Sequence, residues 1–178
     1  MNVTALVVMD MLNSYDHDDA DLLAKSVEEV VGPMAALIRQ AEERDDVELV
    51  YVNDNHGDFT AGPAELTRRA LEGRRPDLVE PIVPPEGCPF LPKVRHSAFF
   101  GTSLEYLLHR KRVDTVVLAG QVTEQCVLYS ALDAYVREFD VRVAADCVAH
   151  IHADLAEAAM RMMTCNMRAE ALPGARCL

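Results

Sequence analysis

Cys126 follows a strand-like run at residues 115–119 and precedes a helix-like run that begins at Leu128. This order predicts a thiol at the carboxyl end of a strand and in the first turn of the next helix. Open α/β sheets place their reactive groups at such points. A helix amino end also favours a thiolate. Cys126 is therefore the first candidate nucleophile, and we expect its pKa to be lowered.

Two further polar residues stand where predicted strands end. Asp10 closes the apolar run at residues 4–9, and Lys93 lies in a short run that starts at Phe90. Because the carboxyl ends of parallel strands share one edge of the sheet, these residues can converge with Cys126. A carboxylate base, an ammonium group and a thiol form a plausible set for acyl transfer.

Proton transfer from Cys126 to Asp10 is unfavourable when both groups have their ordinary pKa values. Ordinary pKa values of about 3.9 for Asp and about 8.5 for Cys make Asp10 a poor base, by on the order of 6 kcal/mol. Burial would raise the pKa of Asp10, and Lys93 with the helix amino end would lower the pKa of Cys126. The resting protonation state is left open, because Lys93 stabilises both anions.

Composition limits the class of protein. The 178 residues suit a single domain over residues 1–178, and the formal charge of -12 opposes binding to nucleic acid or to an anionic membrane surface. The five cysteines include no CxxC pair, and no apolar run is long enough to span a bilayer. We expect a cytoplasmic protein with no disulfide framework.

Four β-branched runs predict strands, at residues 3–9, 47–53, 113–119 and 141–145. They are apolar enough to be buried on both faces, as parallel strands are. Amphipathic segments predict helices at residues 21–43, 63–71, 103–110, 124–138 and 153–167. This alternation predicts a three-layer α/β/α fold of the doubly wound, Rossmann type. In the proline-rich middle we expect one strand at 79–83 and another at 90–94.

Three segments resemble the signature motifs of the isochorismatase-like cysteine hydrolases. They are VVMDMLN at 7–13, LPKVRHSAFFGT at 91–102 and LAGQVTEQCVLYSALDAY at 118–135, supported by residues 51–55 and 143–149. The resemblance implies a six-stranded parallel sheet and a catalytic triad of Asp10, Lys93 and Cys126. It also implies a cis peptide between Gln121 and Val122, with the N–H groups of Val122 and Cys126 forming an oxyanion hole.

Residues within or near these motifs are candidates for a substrate pocket, namely Asn13, Tyr15, His56, Phe59, Phe99 and Phe100. Asp54 and His56 occupy the first two metal-ligand places of the nicotinamidase branch, but a further ligand is missing at Gly62. Since three protein ligands are the rule, we expect no metal and no other cofactor.

These features predict a hydrolase that cleaves the C–N bond of a small amide, carbamoyl or ureido compound through a Cys126 thioester. One alternative is an isochorismatase-type vinyl ether hydrolase, but relatives of that kind resemble the chain without the cysteine. The other is a non-catalytic protein that binds a ligand or senses oxidants. Retention of Asp10 and Lys93 favours catalysis. The resemblance also predicts a homo-oligomer, either a dimer or a tetramer.

Overall fold

The computed structural model describes residues 3–178, and six strands in it form one parallel sheet. The strands are β1 (Val3–Met9), β2 (Val47–Asp54), β3 (Phe90–Lys93), β4 (Val113–Gln121), β5 (Asp140–Ala149) and β6 (Glu170–Leu172). Their order across the sheet is β3-β2-β1-β4-β5-β6. The predicted α/β class and the six-stranded parallel sheet are confirmed.

Six helices cover the sheet on both faces. They are α1 (Ala20–Glu42), α2 (Pro63–Leu71), α3 (Pro76–Val79), α4 (Leu104–Arg110), α5 (Leu128–Val136) and α6 (Ala153–Asn166). Buried side chains of α1, α2 and α3 form the core on one face of the sheet. Those of α4, α5 and α6 form the core on the other. The sheet is thus the middle layer of three.

The strand order places a crevice beside β1. The chain runs from β1 outward through β2 to β3, and it then crosses to β4 on the opposite side of β1. In doubly wound sheets, ligands bind where the order reverses in this way, outside the carboxyl ends of the strands. The residues that follow β1 and β4 therefore face one another across the crevice.

Two short segments differ from the secondary structure predicted from the sequence. Residues 79–83, expected to be a strand, instead end α3 and form a 3-10 turn over Glu80–Ile82. Pro76 and Pro81 stand in the first turns of these two segments, where proline favours a helical start. The strand β6 was not recognised from its residues, because three residues without β-branching give no strand pattern.

Gly120 is required where β4 passes β1. It has a φ of 121°, in the region that favours glycine, and a Cβ atom at this position would overlap the backbone of Met9. Met9 and Gly120 are register partners in the β1–β4 pair. The glycine therefore allows the two strands to approach each other just before Asp10 and Gln121.

A helix that crosses a bilayer needs about 20 mostly apolar residues. Within residues 3–178, no helix combines that length with sufficient apolar character.

Candidate active site

The structure brings Asp10, Lys93 and Cys126 together at the carboxyl edge of the sheet. Asp10 follows β1, Lys93 is the last residue of β3, and Cys126 lies in a π-helical turn over Thr123–Val127 that leads into α5. Lys93 Nζ is 3.0 Å from Asp10 Oδ2 and 3.7 Å from Cys126 Sγ. The three residues expected to converge from separate strand ends are thus in contact.

Lys93 reaches the other two residues across an intervening strand. It belongs to β3, which is separated from β1 by β2. Two inter-strand steps amount to about 10 Å, so a long side chain is needed to bridge them. The side chain of Lys93 is 1% exposed and that of Asp10 is 13% exposed. The ammonium group is therefore almost fully desolvated and depends on its anionic neighbours.

Backbone and side-chain groups hold Asp10 in place. Its N–H donates to Val52 O (3.0 Å), and its carbonyl oxygen accepts from Gln121 Nε2 (2.6 Å). Asp10 Oδ1 accepts from the backbone N–H of Asp54 (2.7 Å). Among residues 3–178, no backbone donor binds Oδ2, which lies 3.0 Å from Lys93 Nζ. Oδ2 is therefore available to accept a proton.

The pKa of the thiol differs from the sequence-based expectation. Burial, followed by the charge of Asp10, raises the pKa of Cys126 to about 12, against the opposing effect of Lys93 and a backbone hydrogen bond from Val122. The prediction of a lowered pKa was wrong. Cys126 is 8% exposed and its sulfur faces a carboxylate, and these effects outweigh the ammonium group and the helix amino end.

The pKa values of Asp10 and Lys93 are both raised, which suits a base next to a cation. Burial raises the pKa of Asp10 above its ordinary value, although Lys93 and the thiol oppose the shift. Burial alone would lower the pKa of Lys93, but Asp10 and Cys126 reverse that effect and raise it. Lys93 is thus a permanent cation, and Asp10 is a stronger base than an exposed carboxylate.

The turn that carries Cys126 begins at a cis peptide bond between Gln121 and Val122. The carbonyl oxygen of Val122 accepts hydrogen bonds from the N–H groups of Gln125 (3.0 Å) and Val127 (3.2 Å). Glu124 Oε1 accepts from two backbone N–H groups in the loop between β5 and α6, at 3.0 and 2.8 Å. The turn is therefore fixed at both ends.

The predicted pocket residues do not form one group. Tyr15 is 1% exposed, and its hydroxyl has no hydrogen-bond partner among the described residues. Asn13 Oδ1 accepts from the N–H of Tyr15 (2.7 Å) and thereby shapes the loop after Asp10. His56 is exposed, and its backbone N–H donates to Asp54 Oδ1 (2.8 Å).

The three phenylalanines lie in different environments. Phe99 is not a pocket residue, because it is buried in the core beside Phe139 with the Arg137 guanidinium over its ring. Phe59 is 82% exposed, and its place in a substrate pocket stays a prediction. Phe100 lines a cavity of about 340 Å³ together with Arg95, His96, Ser97, Tyr129 and Asp133.

Asp54 and His56 do not complete a metal site. Asp54 Oδ1 accepts the N–H of His56, and Asp54 Oδ2 is 3.5 Å from Lys93 Nζ, so both carboxylate oxygens have other neighbours. In the described part of the chain, no three His, Cys, Asp or Glu residues are grouped to hold a metal ion.

Comparison with known proteins identifies the family. The family model described as the Isochorismatase domain matches residues 4–173. The chain belongs to the isochorismatase family. An uncharacterised isochorismatase family protein, YaaI of Bacillus subtilis, is 31% identical over 159 residues, which cover 89% of this chain and 87% of that protein. The resemblance seen in the sequence motifs is confirmed.

Two relatives with named activities extend the comparison. The maleamate amidohydrolase of Pseudomonas putida is 34% identical over 162 residues, covering 86% of this isochorismatase-family chain and 76% of the relative. The solved N-carbamoylsarcosine amidase of Thermoplasma acidophilum is 26% identical, with a TM-score of 0.75 and coverage of 97% and 96%. Both relatives are amide hydrolases by name.

Proposed function

We propose that this chain is a cysteine hydrolase that cleaves the C–N bond of a small amide, carbamoyl or ureido compound through a thioester on Cys126. The observation that carries the proposal is the position of the buried Lys93 ammonium, 3.0 Å from Asp10 Oδ2 and 3.7 Å from Cys126 Sγ. Amide hydrolysis by members of the family supports the reaction type.

In the first half of the reaction, Asp10 Oδ2 takes the thiol proton as Cys126 Sγ attacks the carbonyl carbon. The C=O electron pair moves to oxygen, where we propose that the N–H groups of Val122 and Cys126 stabilise the oxyanion, a contribution of roughly 3 kcal/mol per donor in other enzymes. The intermediate then collapses, the C–N bond breaks, and Asp10 returns the proton to the leaving nitrogen. The thioester remains on Cys126.

Water completes the cycle. Asp10 takes a proton from water as the oxygen adds to the thioester carbon, the C–S bond breaks, and the sulfur recovers the proton. The products are an acid and an amine or ammonia. Lys93 remains protonated throughout and stabilises each anion as it forms. Its raised pKa suits this role, because a cation that lost its proton would leave buried anions uncompensated.

The raised pKa of Cys126 also bears on the sensor alternative. Oxidant sensing depends on an accessible, low-pKa thiolate. Cys126 is buried, and its pKa is raised to about 12, so it lacks both properties. A thiol next to a base, protonated until the base removes its proton, suits general-base catalysis better.

The proposal is tested with a panel of small amides, carbamoyl compounds and ureides, with ammonia release as the signal. Cys126→Ala should lower the rate of hydrolysis by at least about a thousandfold, as loss of a nucleophile does in other triads. Rapid quenching and mass spectrometry of the wild type should detect an acyl adduct on Cys126. Cys165→Ala, at an exposed cysteine, is the matched control and should keep full activity. Isochorismate turnover that survives Cys126→Ala would instead favour vinyl ether hydrolysis.

We also propose that the protein acts in the cytoplasm as a homo-oligomer. All five cysteines are free thiols, which suits a reducing compartment.

Exposed apolar side chains lie along α5 at helical spacing, at Tyr129, Leu132 and Val136. The negative charge beside them is partly offset, because Arg137 pairs with both Asp133 and Glu105. Two copies that each carry a charge of -12 can meet most readily on such a face.

A further inference from the structure

Asp54 contacts two members of the triad through different atoms. Its backbone N–H donates to Asp10 Oδ1 (2.7 Å), and its side-chain Oδ2 is 3.5 Å from Lys93 Nζ. Asp54 is the last residue of β2, and it is the register partner of Lys93 in the β2–β3 pair. The strand between Asp10 and Lys93 therefore supplies a residue that holds both.

The Lys93 ammonium group is surrounded by more negative charge than a triad contains. The carboxyl groups of Asp10 and Asp54 lie 3.0 and 3.5 Å from Nζ, and the thiol of Cys126 lies 3.7 Å away. These are the titratable groups that face Lys93 from β1, β2 and the π-helical turn. Glu124, in the same turn, is bound instead to backbone N–H groups of the β5–α6 loop.

A second carboxylate next to Lys93 affects the basicity of Asp10. The negative charge of Asp54 opposes ionisation of Asp10, because a like charge disfavours the charged form of its neighbour. The side chain of Asp54 therefore keeps Asp10 more basic, whereas the backbone N–H of Asp54 lowers the pKa of Asp10 through its hydrogen bond to Oδ1. The side chain of Asp54 is 31% exposed, so solvent weakens the effect without removing it.

We propose that Asp54 is a positioning residue that shares the Lys93 ammonium with Asp10, so that Asp10 keeps the basicity needed to take the thiol proton. The proposal rests on the hydrolase function described above. It assigns a role in acid–base tuning to a residue that the sequence alone suggested only as half of an incomplete metal site.

The test is Asp54→Asn, which removes the charge and keeps one oxygen that can accept the N–H of His56. Without the negative charge of Asp54, Asp10 should ionise more readily, and its pKa should fall. The acid limb of the kcat/KM profile should therefore move to lower pH by about one unit, and kcat should fall by about threefold to tenfold because the base is weaker. KM should change little, and Asp54→Glu should restore part of kcat.

A second measurement does not depend on hydrolysis. Loss of a nearby negative charge should ease ionisation of Cys126, so alkylation of Cys126 by iodoacetamide at pH 8 should be several-fold faster in Asp54→Asn than in the wild type. Peptide mass mapping gives this rate even if no amide in the panel is a substrate. The matched control is Asp58→Asn in the loop that follows β2, because Asp58 pairs with Arg69 and Thr60 instead of Lys93.

Equal alkylation rates and an unshifted acid limb in Asp54→Asn would overturn the proposal, whatever happens to kcat. If Asp54→Asn does not fold, as judged by its thermal unfolding curve, Asp54→Ser and Asp54→Glu provide the same two readouts. Alkylation of Cys126 should then be faster in Asp54→Ser and close to the wild-type rate in Asp54→Glu. The reverse order would contradict the assignment. A wild type that hydrolyses nothing refutes the proposed function but leaves the alkylation test of Asp54 decisive.

Discussion

The side-chain amide of Gln121 donates a hydrogen bond of 2.6 Å to the carbonyl oxygen of Asp10, and so links the end of β4 to the end of β1. Gln121 is buried, and Asp10 has a φ of 56°, an unusual conformation for a residue other than glycine. The bond therefore ties this unusual backbone conformation to the end of the strand that precedes the turn with Cys126.

Gln121→Met should remove this bond while keeping a side chain of similar length. The buried carbonyl group of Asp10 would lose its partner, which costs about 1 to 3 kcal/mol in the free energy of unfolding. We also expect kcat to fall by about tenfold or more, because misplacement of a catalytic group is costly. Denaturant unfolding and ammonia release measure the two effects. Gln125→Met, at an exposed position in the next turn, should leave both close to wild type.

Labelling with iodoacetamide should follow the raised pKa of Cys126. A pKa of about 12 means that the thiol remains protonated at neutral pH, and its labelling rate should rise as the pH increases towards that value. We therefore expect the exposed Cys165 to be labelled faster than Cys126 at pH 7. Peptide mass mapping over a pH series gives both rates. Faster labelling of Cys126 at pH 7 would show that the thiol is already ionised in the resting protein.

Gly120→Ala should destabilise the fold. The added Cβ atom would overlap the backbone of Met9, and φ at this position is 121°. Strained backbone conformations cost about 1 to 3 kcal/mol each, and the overlap adds to this. Gly32→Ala is the control, because Gly32 lies inside α1 with a helical backbone and, apart from its two chain neighbours, has no atom near the added methyl group. It should change the free energy of unfolding by less than about 1 kcal/mol in denaturant unfolding, because the gain in helix propensity opposes the contact of the new Cβ atom with the Pro33 ring.

Leu132→Glu should weaken the proposed oligomer without disturbing the core. Leu132 is exposed on α5, so the substitution places a charge on the face where we expect a second copy to pack. Light scattering after size-exclusion chromatography should show a larger species for the wild type and a monomer for the variant. Leu22→Glu, at an exposed leucine of α1 on the opposite helical layer, should keep the wild-type mass. A monomeric wild type would contradict the proposal.

The sequence predicted the central strands well because their signal is local. Runs of β-branched residues identify β1, β2, β4 and the start of β5, and each of these strands is buried in the sheet. The triad residues were identifiable because each stands at the end of such a run or in a recognisable motif. Convergence then follows from parallel strand geometry, without knowledge of any side-chain contact.

The remaining features depend on contacts that the sequence does not show. The helix-end argument for a low pKa at Cys126 failed because burial depends on the whole fold. Phe99 lies within a signature motif but packs into the core, since position in a motif does not determine the direction of a side chain. Asp54 ends a strand just as Lys93 does, and that shared position was the signal that could have revealed its role.

The short edge strand β3 has a consequence for how the site is lost. Lys93 ends this four-residue strand, which is hydrogen-bonded to β2 on one side and has no strand neighbour on the other within the described chain. Edge strands fray at a lower free energy than central ones, often without global unfolding. Opening of β3 would withdraw the ammonium group while Asp10 and Cys126 remain on the intact centre of the sheet. Amide hydrogen exchange at Leu91 and Lys93 would therefore measure how often Lys93 separates from Asp10 and Cys126 in a protein that is otherwise folded.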